Sequence, residues 1–188
     1  TVSCGLIPIP PIPESGTGEM LVQHGKFLYR IGGFASDGTV QSTIYMTSAT
    51  IHTDDTITVE PWAPALPLPE GRAFGAAFSI GQYLYVIGGE NDNGPVDTIY
   101  MAKIDPDDGS LGYYHTYYSE GEKLEGPSYW VNHSTPLPQP RSHMGWAIYD
   151  GRVFLMGGNG STAGSAGELD TIIHSRISVV SSGKTGIW

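Results

Sequence analysis

The sequence predicts an all-β chain built from repeated units of four short antiparallel strands, and three observations carry that prediction. The 26 glycines and 14 prolines make more than a fifth of the 188 residues turn-forming, which disfavours long helices and suits short strands joined by tight connections. Hydrophobic residues reach 39% and aromatic residues 11%, enough for a packed core and too many for a disordered chain. Three double glycines, Gly32-Gly33, Gly88-Gly89 and Gly157-Gly158, each close an apolar run, so the chain has an internal period.

Sliding the chain on itself by 56 residues lays the first double glycine on the second, and sliding it by 69 lays the second on the third. The same shifts align a lead-in: Leu137-Pro138-Gln139-Pro140-Arg141 falls on Leu68-Pro69-Glu70-Gly71-Arg72, and Ile12 to Gly16 falls there too, with Gly16 in place of the arginine. A small, apolar stretch follows (Ala73 to Ser79, His143 to Tyr149) and suits an inner strand where space near an axis is scarce. The runs Phe27 to Ile31, Tyr83 to Ile87 and Val153 to Met156 read as buried second strands. The glycines after them permit positive φ where the backbone must leave sharply. Thr43-Ile44-Tyr45-Met46, Thr98-Ile99-Tyr100-Met101 and Thr171-Ile172-Ile173-His174 form a third strand. An Asp-Gly or Ser-Gly turn (Asp108-Gly109, Ser182-Gly183) precedes the last strand, whose aromatic anchor is expected to be Trp62, the Tyr113-Tyr114 pair and Trp188 in turn. Four short strands per unit, repeated, describe blades about an axis. The expected organisation is a Pro-rich segment at 1–11 and units at 12–67, 68–136 and 137–188, the second holding an inserted loop at 119–134.

In the Leu-Pro-x-x-Arg lead-in, the double glycine, the third-strand tyrosine and the aromatic after it, the chain resembles the kelch repeat over residues 12 to 188. The Asp-Gly-Ser-Leu-Gly form of the last turn is closer to bacterial surface versions of that repeat. The resemblance implies kelch-type β-propeller blades of four antiparallel strands. Closed propellers usually have 4–8 blades, so three blades imply part of a larger propeller, or a second copy or other protein partner completing a six-bladed assembly. The Pro-rich stretch Leu6 to Pro13 reads as the incoming lead-in, with docking of an extended polyproline segment as the alternative.

A net charge of −10 without any Lys/Arg cluster argues against nucleic acid as a partner, and no apolar run approaches the ~20 residues of a membrane span. Cys4 is the one cysteine, so no internal disulfide forms. Few lysines and abundant Ser, Thr and Gly fit an extracellular or cell-surface setting. No nucleophile elbow, His-Glu-x-x-His or phosphate loop is present, so no catalytic residue, cofactor site or metal site is assigned. The six histidines show no ligand spacing; His143, on a presumed inner strand, is either packed or channel-lining. Asp105, Asp107 and Asp108, with Asn91, Asp92 and Asn93, form acidic turns that raise calcium as a candidate ion, against the plainer reading of a solvated turn. The candidate contact residues are Arg72 and Arg141, equivalent positions at which guanidinium groups would clamp a carboxylate, and the aromatics Tyr113, Tyr114, Tyr117, Tyr118 and Trp130 of the insertion. Two functions follow: a non-enzymatic module for protein or glycan contacts in a larger complex, or a segment of a kelch-propeller enzyme of the sialic acid mutarotase or carbohydrate oxidase kind. The copper oxidases need a Tyr-Cys crosslink, and Cys4 lies outside the repeats.

Overall fold

Alternation of apolar and polar residues at Met20–His24, and β-branched and aromatic residues in the runs that follow, leave the backbone little choice but extended pairing. The computed structural model describes residues 10–14, 16–112, 116–119, 122–125, 129–161 and 167–177; none of them is helical and all the strand pairs are antiparallel. In the first sheet β1 (Met20–His24), β2 (Phe27–Ile31) and β3 (Ile44–Ile51) pair in order, and β4 (Ile57–Val59) and β5 (Ala63–Ala65) both pair with β3. In the second sheet β6 (Ala76–Ile80), β7 (Tyr83–Ile87), β10 (Ile99–Lys103) and β13 (Val131–Asn132) pair in order. Between them β8 (Glu90–Asn91) and β9 (Gly94–Pro95) form a small hairpin, and so do β11 (Thr116–Ser119) and β12 (Glu122–Glu125). The third sheet has β14 (Gly145–Tyr149), β15 (Arg152–Met156) and β16 (Ile172–Arg176). No sheet closes on itself among the described residues.

The register repeats from sheet to sheet. Tyr29 lies opposite Val22 and Met46; Tyr85 lies opposite Phe78 and Met101; Phe154 lies opposite Ala147 and His174. Because side chains alternate faces, each sheet has a forward and a backward side. The forward residues Met20, Val22, Tyr29, Ile31 and Ile44 of the first sheet pack with the backward residues Ala77, Leu84, Val86, Tyr100 and Ala102 of the second. The forward residues Ala76, Phe78, Tyr85, Ile87, Ile99 and Met101 of the second pack with the backward Val153 and Leu155 of the third. The second sheet is thus buried on both faces, which is why its strands read as nearly continuous apolar runs. Each large side chain buried this way contributes about 1.5–3 kcal/mol.

Backbone bonds at one end of the sheets lock the same stacking. Gly33 N donates to Arg72 O (2.9 Å) and Gly89 N to Arg141 O (2.7 Å), while Phe74 N donates to Gly18 O and His143 N to Phe74 O (both 2.9 Å). The first glycine of each pair is where this matters sterically. A Cβ on Gly32 would lie 2.0 Å from Arg72 O, and one on Gly88 would lie 2.5 Å from Arg141 O.

Two expectations about the outer strand change. In the first sheet that strand is broken at Pro61 into β4 and β5, and Trp62 precedes β5 and donates from Nε1 to Pro10 O (3.1 Å). In the second, the strand that pairs with β10 is β13, inside the expected insertion. The aromatic immediately before it is Trp130, which therefore holds the place of Trp62. The extra residues come before the outer strand and include the β11–β12 hairpin. Tyr113 and Tyr114, expected to be the anchor, lie outside the described residues, as do Cys4 and the third unit's final turn.

Candidate functional site

The two lead-in arginines are fully buried, and their Nη groups donate inside the protein while Nε of each has no hydrogen-bond partner among the described residues. Arg72 donates from Nη1 to Gly88 O (3.1 Å) and Thr98 Oγ1 (2.8 Å), donates from Nη2 to Glu70 Oε2 (3.1 Å), and stands 5.1 Å from the Tyr100 ring centre. Arg141 repeats the pattern, donating from Nη1 to Gly157 O (2.6 Å) and Thr171 O (3.1 Å) and from Nη2 to Thr171 Oγ1 (2.7 Å). Burial pulls both guanidinium groups below their ordinary value, and at Arg72 the neighbours Tyr100 and Glu70 oppose it. These are struts tying each lead-in to the carbonyl of its double glycine and to the start of its third strand. The Nη groups that the sequence reading gives to a ligand carboxylate are directed at these partners.

The first unit, with Gly16 where the arginine should be, supplies its cation from elsewhere. Arg30 on β2 is 1% exposed, donates to Glu19 Oε1 (3.2 Å), and lies 4.0 Å from Glu14 Oε2 and 6.0 Å from the Tyr45 ring centre. Glu14 and Tyr45 are the counterparts of Glu70 and Tyr100. Arg30 itself occupies the register position of Val86, so a backward-facing core position carries the charge instead. Its Nε and Nη1 find no hydrogen-bond partner among the described residues.

Trp130 is 8% exposed, belongs to the first core and donates from Nε1 to Leu66 O (3.4 Å). It packs in that core, with little of its ring exposed. Tyr117 and Tyr118 lie on β11, paired with Leu124 and Lys123 of β12. Of the acidic turn, Asp105 accepts Asp107 N (2.9 Å) and Asp108 accepts Ser110 N (2.8 Å), and Tyr29 Oη donates to Gly109 O (2.7 Å). The carboxylates serve the turn, which rests on the neighbouring sheet. No group of three His, Cys, Asp or Glu able to hold a metal ion occurs among the described residues.

What the repeat does gather is a set of side chains at the end where the double glycines lie. The residues after each pair, Phe34, Glu90 and Asn159, bridge back to Thr17, Ala73 and Ser142 of their own lead-ins. The next lead-in residue is left-handed every time: Gly18 (φ 72°), Phe74 (53°) and His143 (55°). The rings of Phe74 and His143 stack at 3.9 Å, and Phe34 lies 5.9 Å from Phe74. Glycine fits a left-handed position without strain and is used in the first unit. A ring there costs about 1–2 kcal/mol, and such outliers concentrate at functional sites.

Four of these residues border a cleft of about 520 Å³, walled by Phe34 and His143 and rimmed by Glu90 and Asn159 together with Asp92. Ser142 Oγ donates to Glu90 Oε2 (3.1 Å) and lies 3.0 Å from His143 Nδ1, while Glu90 Oε2 is 3.7 Å from the same nitrogen. This trio does not form a nucleophilic relay. Ser142 is fully buried, and its carboxylate neighbour approaches the same imidazole nitrogen that the hydroxyl does, whereas a relay needs opposite ones. The half-exposed His143 ring faces the cleft as a wall. Sequence reasoning placed His143 near a channel and set Asp92 among the acidic turns, but missed Phe34 and Glu90. The signal was available in the shift alignment, where these are the positions that change type between units that otherwise match.

No protein-family model matches the chain, and no curated protein matches it. Solved structures do. That of YjhT is similar with a TM-score of 0.61 and 16% identity, over 94% of this chain and 46% of that one. At this identity the likeness is one of fold, and the chain spans about half of YjhT's length.

Proposed function

We propose that the chain is a run of three kelch-type propeller blades that acts as a non-enzymatic binding and assembly module, with a further blade of the same kind docking on its third sheet. The observation that carries this is the forward face of that sheet. Ala147, Phe154, Met156, Ile172 and His174 hold the register positions of Phe78, Tyr85, Ile87, Ile99 and Met101 in the second sheet, all of which are buried. Yet Ile172 is 64% exposed and Met156 39%. The backbone tells the same story: no described residue accepts from Gly158 N or donates to His143 O, the counterparts of Gly89 N and Phe74 O. A Cβ on Gly157 would have only Leu169 O within reach, at 3.3 Å, where Gly32 and Gly88 face the next lead-in.

The occupant that fits is a sheet with a small, aliphatic backward face like Ala77, Leu84, Val86 and Ala102. Either further repeats of the same polypeptide or the first sheet of a second copy would supply it. The match to about half of YjhT favours an assembly of twice this length. The buried lead-in arginines and the unsuitable Ser142 geometry support a scaffold over an enzyme. Sedimentation velocity tests it: the 188-residue chain should associate through this face, and Phe154→Glu should return it to a 20.1 kDa monomer. A wild-type chain that is monomeric at high concentration, with Phe154→Glu no different, overturns the proposal.

A further inference from the structure

The cleft at the double-glycine end has a chemistry that the buried arginines define by their absence from it. With Arg72 and Arg141 turned into the sheets, its charged groups are the carboxylates of Glu90 and Asp92. Glu90 uses Oε2 to accept Ser142 Oγ, and Asp92 uses Oδ1 to accept Val40 N (3.3 Å). No described residue donates to the second oxygen of either. Of the carboxamides, Asn91 Nδ2 donates to Glu70 Oε1 (2.7 Å) and its Oδ1 accepts Asn93 N (2.8 Å), while Asn159 Oδ1 accepts Ser161 N (3.1 Å). The cleft therefore offers an unused carboxylate oxygen on each of Glu90 and Asp92 beside aromatic walls. An anion would meet two carboxylates, and a neutral ligand would leave both of their charges unpaired. A guanidinium is donor-only, planar and content against an aromatic face.

We propose that this cleft binds an arginine side chain presented by a basic peptide, its guanidinium between the Glu90 and Asp92 carboxylates and its stem along the Phe34 and His143 rings. The volume of about 520 Å³ exceeds one side chain and accommodates flanking backbone. The stacked, left-handed Phe74 and His143 hold the wall in place before the ligand arrives, which keeps the entropy cost of binding low. The chain's net charge of −10 draws such a ligand in. None of this requires a further blade.

The test is titration of isotope-labelled protein with the peptide acetyl-Gly-Arg-Gly-amide, followed by amide NMR, with its citrulline counterpart as an isosteric uncharged control. The arginine peptide should shift the amides of Phe34, Asp92 and His143, and the citrulline peptide should not. Asp92→Asn, on an exposed loop, should weaken the arginine peptide by about tenfold, and Glu90→Gln with Asp92→Asn should weaken it further, both with unchanged melting. Added salt should weaken binding in step. Equal shifts from both peptides, no shift from the arginine peptide, or stronger shifts from maltose than from arginine would overturn it. Phe154→Glu should leave the response intact, so failure here and failure of blade docking are separate results.

Discussion

Replacing Gly88 and Gly157 by alanine, one at a time, isolates what the contact between successive sheets is worth. Both glycines close their second strand and both are left-handed, at φ 56° and 61°. Each alanine therefore carries the same cost of about 1–2 kcal/mol for an L-residue in that region. What differs is the space. The new Cβ at 88 would meet Arg141 O at 2.5 Å, and at 157 it would meet Leu169 O at 3.3 Å. Arg141 O also accepts Gly89 N at 2.7 Å, so moving it aside strains the bond that docks the third sheet, about 1 kcal/mol, and overpacks the interface by about 1–3 kcal/mol more. Gly88→Ala should thus be the more destabilising by about 2–4 kcal/mol, read as a difference in urea midpoint at a common slope. Equal costs would refute the reasoning, because the lead-in carbonyl would then not be held against the glycine.

Three further outcomes follow from the same contacts. Arg72→Leu should cost about 3 kcal/mol, since it removes three hydrogen bonds at about 1 kcal/mol each, whereas Arg30→Leu removes one and should cost less than half as much; the ordering of the two midpoints checks it. Trp130→Ala should cost about 3–5 kcal/mol as a core deletion, while a surface residue would show under about 0.5 kcal/mol. Asp37, Asp54 and Asp108 accept hydrogen bonds from Thr39, Thr56 and Ser110 that hold their carboxyls below the usual range. A depressed folded-state value gives stability that is present above the unfolded pKa and is lost as pH falls through the folded one. The melting temperature should therefore drop below about pH 4, and replacing all three by alanine should flatten that drop; an unchanged acid limb would show that these turns do not contribute.

The repeat made the strands legible. Phe27 to Ile31, Tyr83 to Ile87 and Val153 to Met156 form β2, β7 and β15, because a sheet buried on both sides leaves an unbroken apolar run in the sequence. The outer strands were harder to read. β13 is only two residues long and follows a hairpin of its own, so Tyr113 and Tyr114 took the place that belongs to Trp130. The site was half visible. That Arg72 and Arg141 are equivalent can be read from spacing, but which way a guanidinium turns depends on Thr98, Thr171 and the glycine carbonyls, and these meet it only in the folded sheet. Arg30 shows the limit most plainly: nothing local in Leu28-Tyr29-Arg30-Ile31 says that it serves the gap left by Gly16.

The docking of a further blade on the third sheet is tested most directly by methionine oxidation. Met156 is 39% exposed on the forward face of the lone chain, and Met101, on the equivalent face of the second sheet, is 3% exposed. In the assembled protein hydroxyl-radical footprinting should find Met156 oxidised as slowly as Met101, and Phe154→Glu should restore its reactivity. Rapid oxidation of Met156 beside a protected Met101, in a particle that sediments at 20.1 kDa, would contradict the account.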